Sequence, residues 1–80
     1  MNETILKEVL ADIFELTQER DEKVDLDVVF VTFVFENSKR LQVNYKAIDP
    51  RSGFVKVWDD NEIINYIPYE SIKSMYFNIV

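Results

Sequence analysis

The chain has 80 residues, a formal net charge of −6, and neither cysteine nor histidine. This length suits one small domain, residues 1–80, and the acidic balance argues against a protein that binds the nucleic-acid backbone. Without cysteine and histidine, the chain has no disulfide framework and lacks the usual zinc and iron ligands. It also shows neither a signal peptide nor an apolar run of about 18 residues. We therefore expect a cytoplasmic protein with no cofactor, no metal site and no membrane contact.

The first segment, residues 3–19, has the apolar spacing of an amphipathic helix. Its large apolar residues recur every three or four positions and are Ile5, Leu6, Val9, Leu10, Ile13 and Phe14. Asn2 is suited to cap this helix, and Glu3 and Lys7 form a favourable i,i+4 pair. The opposite face carries an acidic ridge of four carboxylates, those of Glu8, Asp12, Glu15 and Glu19. The ridge is either an ordinary solvated face or a surface that binds a basic partner.

A charged connector at Glu19–Lys23 leads into a region whose composition favours strands. Five strands are predicted, with approximate bounds 24–35, 41–49, 54–58, 63–67 and 72–80. Pro68–Ser71 should form a single helical turn, since proline cannot donate to a strand ladder. The sequence therefore predicts an α+β fold. The N-terminal helix is followed by a five-stranded antiparallel sheet that is strongly bent or closed into a small barrel.

The first strand predicts association between copies of the chain. Val28–Phe35 consists of β-branched and aromatic residues, and both of its faces are apolar. The helix stripe is wide enough to cover one sheet face, so the other face requires a barrel interior or a second copy. The candidate contacts in a dimer or small ring are Val29, Val31, Phe33 and Phe35.

The pattern from Val31 to Met75 resembles the Sm-like proteins and the YolD-like family found in phages and Bacillus. It has a leading helix, a strand and turn, a long second strand ending at Ile48-Asp49, and a strand–turn–strand unit around Pro68. The resemblance implies a small β-barrel that binds nucleic acid. Tyr69 and Glu70 stand where the bacterial Sm-like RNA chaperone carries a lysine and a histidine for RNA. A carboxylate there repels phosphate, so nucleic-acid binding is not expected.

The remaining residues favour binding over catalysis. Gly53 is the only glycine, so no glycine-rich phosphate loop is present. The carboxylates of Asp59, Asp60 and Glu62 are typical of a solvated hairpin turn, which we favour over the alternative of a calcium or magnesium site. Partly exposed aromatic residues either form a protein-binding surface or fill a small core or barrel rim. The candidates for a binding surface are Tyr45, Trp58, Tyr66 and Tyr69.

The sequence thus predicts a non-enzymatic, oligomeric binding or regulatory protein that acts through protein–protein contacts. One alternative is an acidic phage-type inhibitor that presents carboxylates to a host nucleic-acid enzyme or defence protein. The other is a binder of nucleic acid or nucleotides of the Sm-like kind.

Overall fold

The computed structural model describes residues 1–19 and 23–80. Within them the chain forms one α-helix, six strands and three single turns of 3₁₀ helix. The main elements are α1 (Glu3–Gln18), β1 (Val29–Phe35), β2 (Arg40–Asn44), β3 (Ile48–Pro50), β4 (Phe54–Trp58), β5 (Ile64–Pro68) and β6 (Ile72–Ile79). The strands form two antiparallel sheets: the first has the order β2-β1-β6 and the second the order β3-β4-β5. The predicted connector lies largely outside the described residues.

The fold is α+β, but the predicted five-stranded bent sheet or small barrel is wrong. The predicted strand 41–49 is interrupted by a 3₁₀ turn at Tyr45–Ala47, and its two halves, β2 and β3, belong to different sheets. A second 3₁₀ turn at Tyr69–Ser71 likewise separates β5 in the second sheet from β6 in the first. The described strands therefore form two sheets of three and do not close into a barrel.

Three corners of the chain share a sequence pattern, and only the third was predicted as a helical turn, at Pro68–Ser71. The corners are Val-Asp-Leu-Asp-Val-Val at 24–29, Val-Asn-Tyr-Lys-Ala-Ile at 43–48 and Ile-Pro-Tyr-Glu-Ser-Ile at 67–72. Each encloses one 3₁₀ turn. In the first two, the side-chain oxygen of Asp25 or Asn44 accepts a hydrogen bond from the backbone N–H two residues later, at 2.9 and 3.0 Å. This local bond bends the chain where the apolar pattern alone predicts a continuous strand.

The helix buries a narrower stripe than the sequence predicts. Leu6, Ile13 and Thr17 are buried, and the Thr17 hydroxyl donates to the Ile13 carbonyl oxygen at 2.8 Å. Their spacing of seven and four residues defines one line along the helix. Ile5 and Phe14 flank that line and remain 45% and 42% exposed, so they are not core residues. The predicted Asn2 cap and the Glu3–Lys7 ion pair are both present.

The inner face of β1 is the centre of the core. Val29, Val31 and Phe33 have no exposed surface, and Phe35 is partly buried against the same cluster. These four residues were predicted to join copies of the chain. In the structure the three fully buried residues have no surface left for such a contact, because their side chains are packed inside one chain.

The outer face of β1 has mostly polar neighbours on the adjacent strands. Phe30 pairs in register with Asn44 of β2 and Asn78 of β6. Thr32 pairs with Gln42 and Tyr76 and is buried, whereas Phe30 is half-buried. The inner face of the strand is therefore packed inside the chain, and the outer residues Phe30, Thr32 and Val34 are half-buried or buried.

Candidate aromatic binding face

The outward side of the second sheet brings together four of the exposed large apolar side chains, which are Phe54, Trp58, Ile64 and Tyr66. Phe54, Lys56 and Trp58 alternate with the fully buried Val55 and Val57 along β4. Side chains of directly paired residues lie on the same side of an antiparallel sheet. The pairs Lys56–Tyr66 and Trp58–Ile64 therefore bring two β5 residues to this side. We call Phe54, Lys56, Trp58, Ile64 and Tyr66 the aromatic face.

The aromatic face is exposed and internally ordered. Tyr66 is 62% exposed and Ile64 is 40% exposed, while Phe54 and Trp58 are each 37% exposed. The rings of Phe54 and Tyr66 meet edge-to-face with centroids 5.7 Å apart. The Lys56 ammonium lies 4.9 Å from the centroid of the Trp58 ring, in a cation–π contact. These contacts hold the rings in place while leaving much of their surface to solvent.

The turn that joins β4 to β5 positions Trp58, the last residue of β4, and Ile64, the first residue of β5. Asp59 Oδ1 accepts hydrogen bonds from the backbone N–H groups of Asn61 and Ile63, at 2.9 and 3.0 Å. Asp59 Oδ2 accepts a third from the Asn65 side chain at 3.3 Å. The bond from Ile63, followed by those from Asn65 and Asn61, lowers the pKa of Asp59 because each stabilises the carboxylate form. Asp59 therefore organises the turn, and its oxygens are engaged with the protein.

The structure divides the four predicted aromatic binding residues into two pairs. Trp58 and Tyr66 share the aromatic face. Tyr45 and Tyr69 instead serve the core: the Tyr45 hydroxyl donates to the Leu10 carbonyl oxygen at 2.9 Å, and the Tyr69 hydroxyl to that of Arg51 at 2.6 Å. Burial raises the pKa of both phenols. Tyr45 thus fastens the helix to a corner of the sheets, and Tyr69 fastens the turn before β4.

The acidic ridge lies where the sequence places it. Its four members are all exposed and are Glu8, Asp12 and Glu15 of α1 and the C-cap residue Glu19. They lie opposite the buried stripe of Leu6, Ile13 and Thr17, since the two sets differ by about half a turn at 100° per residue. The ridge is therefore a solvated face of the helix, separate in the chain from the aromatic face.

Two further features bear on the site. Among the described residues we find no group of three or more carboxylates close enough to hold a metal ion, and no enclosed pocket. In the same part of the chain, no helix combines the length and the apolar character needed to cross a membrane.

Comparison with protein families, with curated proteins and with solved structures found no match. The resemblance to Sm-like and YolD-like proteins stays a prediction from sequence pattern.

Sequence reasoning missed three members of the aromatic face, namely Phe54, Lys56 and Ile64. The signal was present in the alternation along β4. Valine at 55 and 57 is the natural inward residue, so the larger side chains at 54 and 58 had to point outward.

Proposed function

We propose that this chain is a non-enzymatic binding protein that holds a protein partner against its aromatic face. The observation that carries the proposal is the exposure of four large apolar side chains on one side of the second sheet: Phe54, Trp58, Ile64 and Tyr66. Contiguous apolar surface rimmed by polar residues is typical of protein interaction sites. Tyrosine and tryptophan are also the residues that contribute most to binding energy at such sites.

The order of the face adds a second argument. Binding costs free energy when flexible side chains become fixed. The edge-to-face contact of Phe54 with Tyr66 already restricts these two rings in the unbound chain. A partner that covers them therefore gains apolar burial at a reduced entropic cost.

Paired capture from a bacterial lysate tests the proposal. The baits are the wild-type chain, Tyr66→Ser on the aromatic face and Glu15→Gln on the acidic ridge. Partners bound by the aromatic face should be lost with Tyr66→Ser and kept with Glu15→Gln, and each should then bind the purified wild-type chain with a change in Trp58 fluorescence. Trp58 is the only tryptophan, so the signal reports on this face alone.

The acidic inhibitor alternative predicts the reverse result. A partner held by the ridge should be lost with Glu15→Gln, kept with Tyr66→Ser, and released sharply as salt is raised, because exposed charge interactions are screened. Capture that is unchanged by Tyr66→Ser would contradict the role of the aromatic face.

A further inference from the structure

The size of the aromatic face limits what can bind there. The whole outer side of the second sheet, which includes the aromatic face, has three strands about 4.8 Å apart. Its longest strands have five residues at about 3.4 Å each, so this side covers roughly 14 Å by 17 Å. That is roughly 240 Å² in projection, and even twice that value stays below the roughly 800 Å² per partner of a standard interface between folded proteins. The face is therefore too small for a stable dimer and matches the footprint of a short peptide segment.

The charge around the aromatic face favours one sign of charge on the peptide segment. Residues 49–70 contain five carboxylates and two cations, a net charge of −3 (2 − 5); the acids are Asp49, Asp59, Asp60, Glu62 and Glu70, and the bases are Arg51 and Lys56. Asp49 pairs in register with Lys56 and so lies on the same side of the sheet. Arg51 donates from Nε to Asp49 Oδ2 at 2.9 Å.

Three of these carboxylates are exposed at the ends of the strands that form the face. Asp60 and Glu62 lie in the hairpin turn directly after Trp58, and Glu70 follows the end of β5. A positively charged segment gains from this surrounding field, and a phosphate-bearing or acidic one loses.

The aromatic rings favour the same ligand. Arginine and lysine side chains are attracted to the faces of tryptophan and tyrosine rings. The chain itself provides an example, because the Lys56 ammonium already occupies a position over the Trp58 ring. A cation from a partner can stack on Tyr66, or compete with Lys56 for Trp58.

We propose that the aromatic face binds a short segment of a partner protein in which arginine or lysine residues flank apolar ones. This inference rests on the proposed function and names the chemical class of its partner. Lys56 then acts as an internal competitor: it repels the incoming cations and covers the ring that they would contact.

The test uses a displayed library of random 12-residue peptides and three baits: the wild-type chain, Tyr66→Ser and Lys56→Gln. The wild type should enrich peptides that combine arginine or lysine with large apolar residues. For the enriched peptides, made synthetically, Tyr66→Ser should weaken binding at least tenfold. Lys56→Gln should strengthen it roughly two- to fivefold, since it removes a like charge and uncovers the Trp58 ring. Glu8→Gln, on the acidic ridge, is the matched control and should leave the affinity unchanged.

Each contrary outcome separates the inference from the function on which it rests. Enriched peptides that are neutral or acidic, yet depend on Tyr66, would overturn the basic partner and leave the binding face standing. Weaker peptide binding by Lys56→Gln would likewise overturn the basic character of the partner and leave the binding face standing. Peptide binding that is unchanged by Tyr66→Ser would overturn the peptide proposal. A wild-type chain that enriches no peptide would also overturn it. A wild-type dimer in sedimentation that Tyr66→Ser dissociates would show that a second copy occupies the face.

Discussion

The Asn44 side-chain amide donates to the Leu26 carbonyl oxygen at 3.1 Å and so joins the first two corners of the chain. The same amide lies 3.1 Å from the Asp27 carbonyl oxygen and 3.2 Å from that of Val29. Its oxygen meanwhile accepts from the Lys46 backbone N–H at 3.0 Å. One side chain therefore shapes its own corner and holds the neighbouring one.

Replacing Asn44 should destabilise the chain more than replacing an ordinary turn residue. Asn44→Ala removes the corner bond and leaves partly buried carbonyl groups without their donor, at an expected cost of about 1–3 kcal/mol in the free energy of unfolding. Asn37→Ala is the matched control, because Asn37 accepts from the Lys39 backbone N–H at 3.0 Å in an exposed turn. Urea denaturation of both variants measures the difference. Equal losses would mean that the contacts between corners contribute nothing.

Neighbouring helix residues should respond very differently to truncation. Leu6 has no exposed surface, whereas Ile5 is 45% exposed. Leu6→Ala should therefore cost about 2–5 kcal/mol, by lost burial and by the cavity left behind. Ile5→Ala should stay within about 0.5–1 kcal/mol, because most of its surface is not packed. Similar urea midpoints for the two variants would contradict the helix orientation.

The sequence predicts the elements of this fold better than their arrangement. The helix starts at Glu3 as predicted and ends one residue before Glu19, and β4 occupies residues 54–58 as predicted. Both are set by local information: an Asn2 cap with a 3.6-residue apolar period, and strict alternation around Val55 and Val57.

The division into two sheets depends on information that apolar periodicity does not contain. Asn44 occupies a polar position in the alternating segment 41–49, so the pattern predicts that it points outward from a continuous strand. Its side-chain oxygen instead accepts the local hydrogen bond that bends the backbone. Its amide nitrogen donates to three carbonyl oxygens that are distant in sequence, and these bonds stabilise the bend. The candidate site shows the same limit in part. The alternation along β4 indicates the exposure of Trp58, whereas the partial burial of Tyr45 and the burial of Tyr69 depend on the corners in which these residues lie.

Alkaline pH should weaken the fold through Tyr45 and Tyr69. Burial raises the pKa of both phenols, so the folded chain keeps protons that the unfolded chain has begun to lose. Their stabilisation is complete below the unfolded pKa of about 10 and is lost as pH rises through the higher folded pKa. The urea midpoint of the wild type should therefore fall above about pH 10.

The Tyr45→Phe and Tyr69→Phe double variant should start from a lower midpoint at pH 7, since it lacks the hydrogen bonds to Leu10 and Arg51. Its midpoint should then decline less steeply than that of the wild type above about pH 10. Tyr66→Phe, on the exposed aromatic face, is the control and should keep the wild-type slope. A double variant with the wild-type slope would show that these phenols do not drive the alkaline loss.

Charge placed on the inner face of β1 should unfold the chain and not merely separate copies of it. Phe33 has no exposed surface and pairs in register with Leu41 and Met75. An aspartate there would bury a carboxylate among apolar side chains, at a cost of several kcal/mol. Small proteins have a total stability of about 5–15 kcal/mol, and the lost packing of the ring adds to the cost.

Phe33→Asp should therefore lose both its helical circular dichroism and its cooperative urea transition. Tyr76→Asp provides the comparison on the same sheet. Tyr76 pairs with Thr32 on the outer face and is 47% exposed, so its carboxylate would remain in water and the fold should persist. A Phe33→Asp chain that keeps its helix signal as a smaller species than the wild type would mean that the ring packs against a second copy. A folded Tyr76→Asp beside an unfolded Phe33→Asp would place the ring inside a single chain.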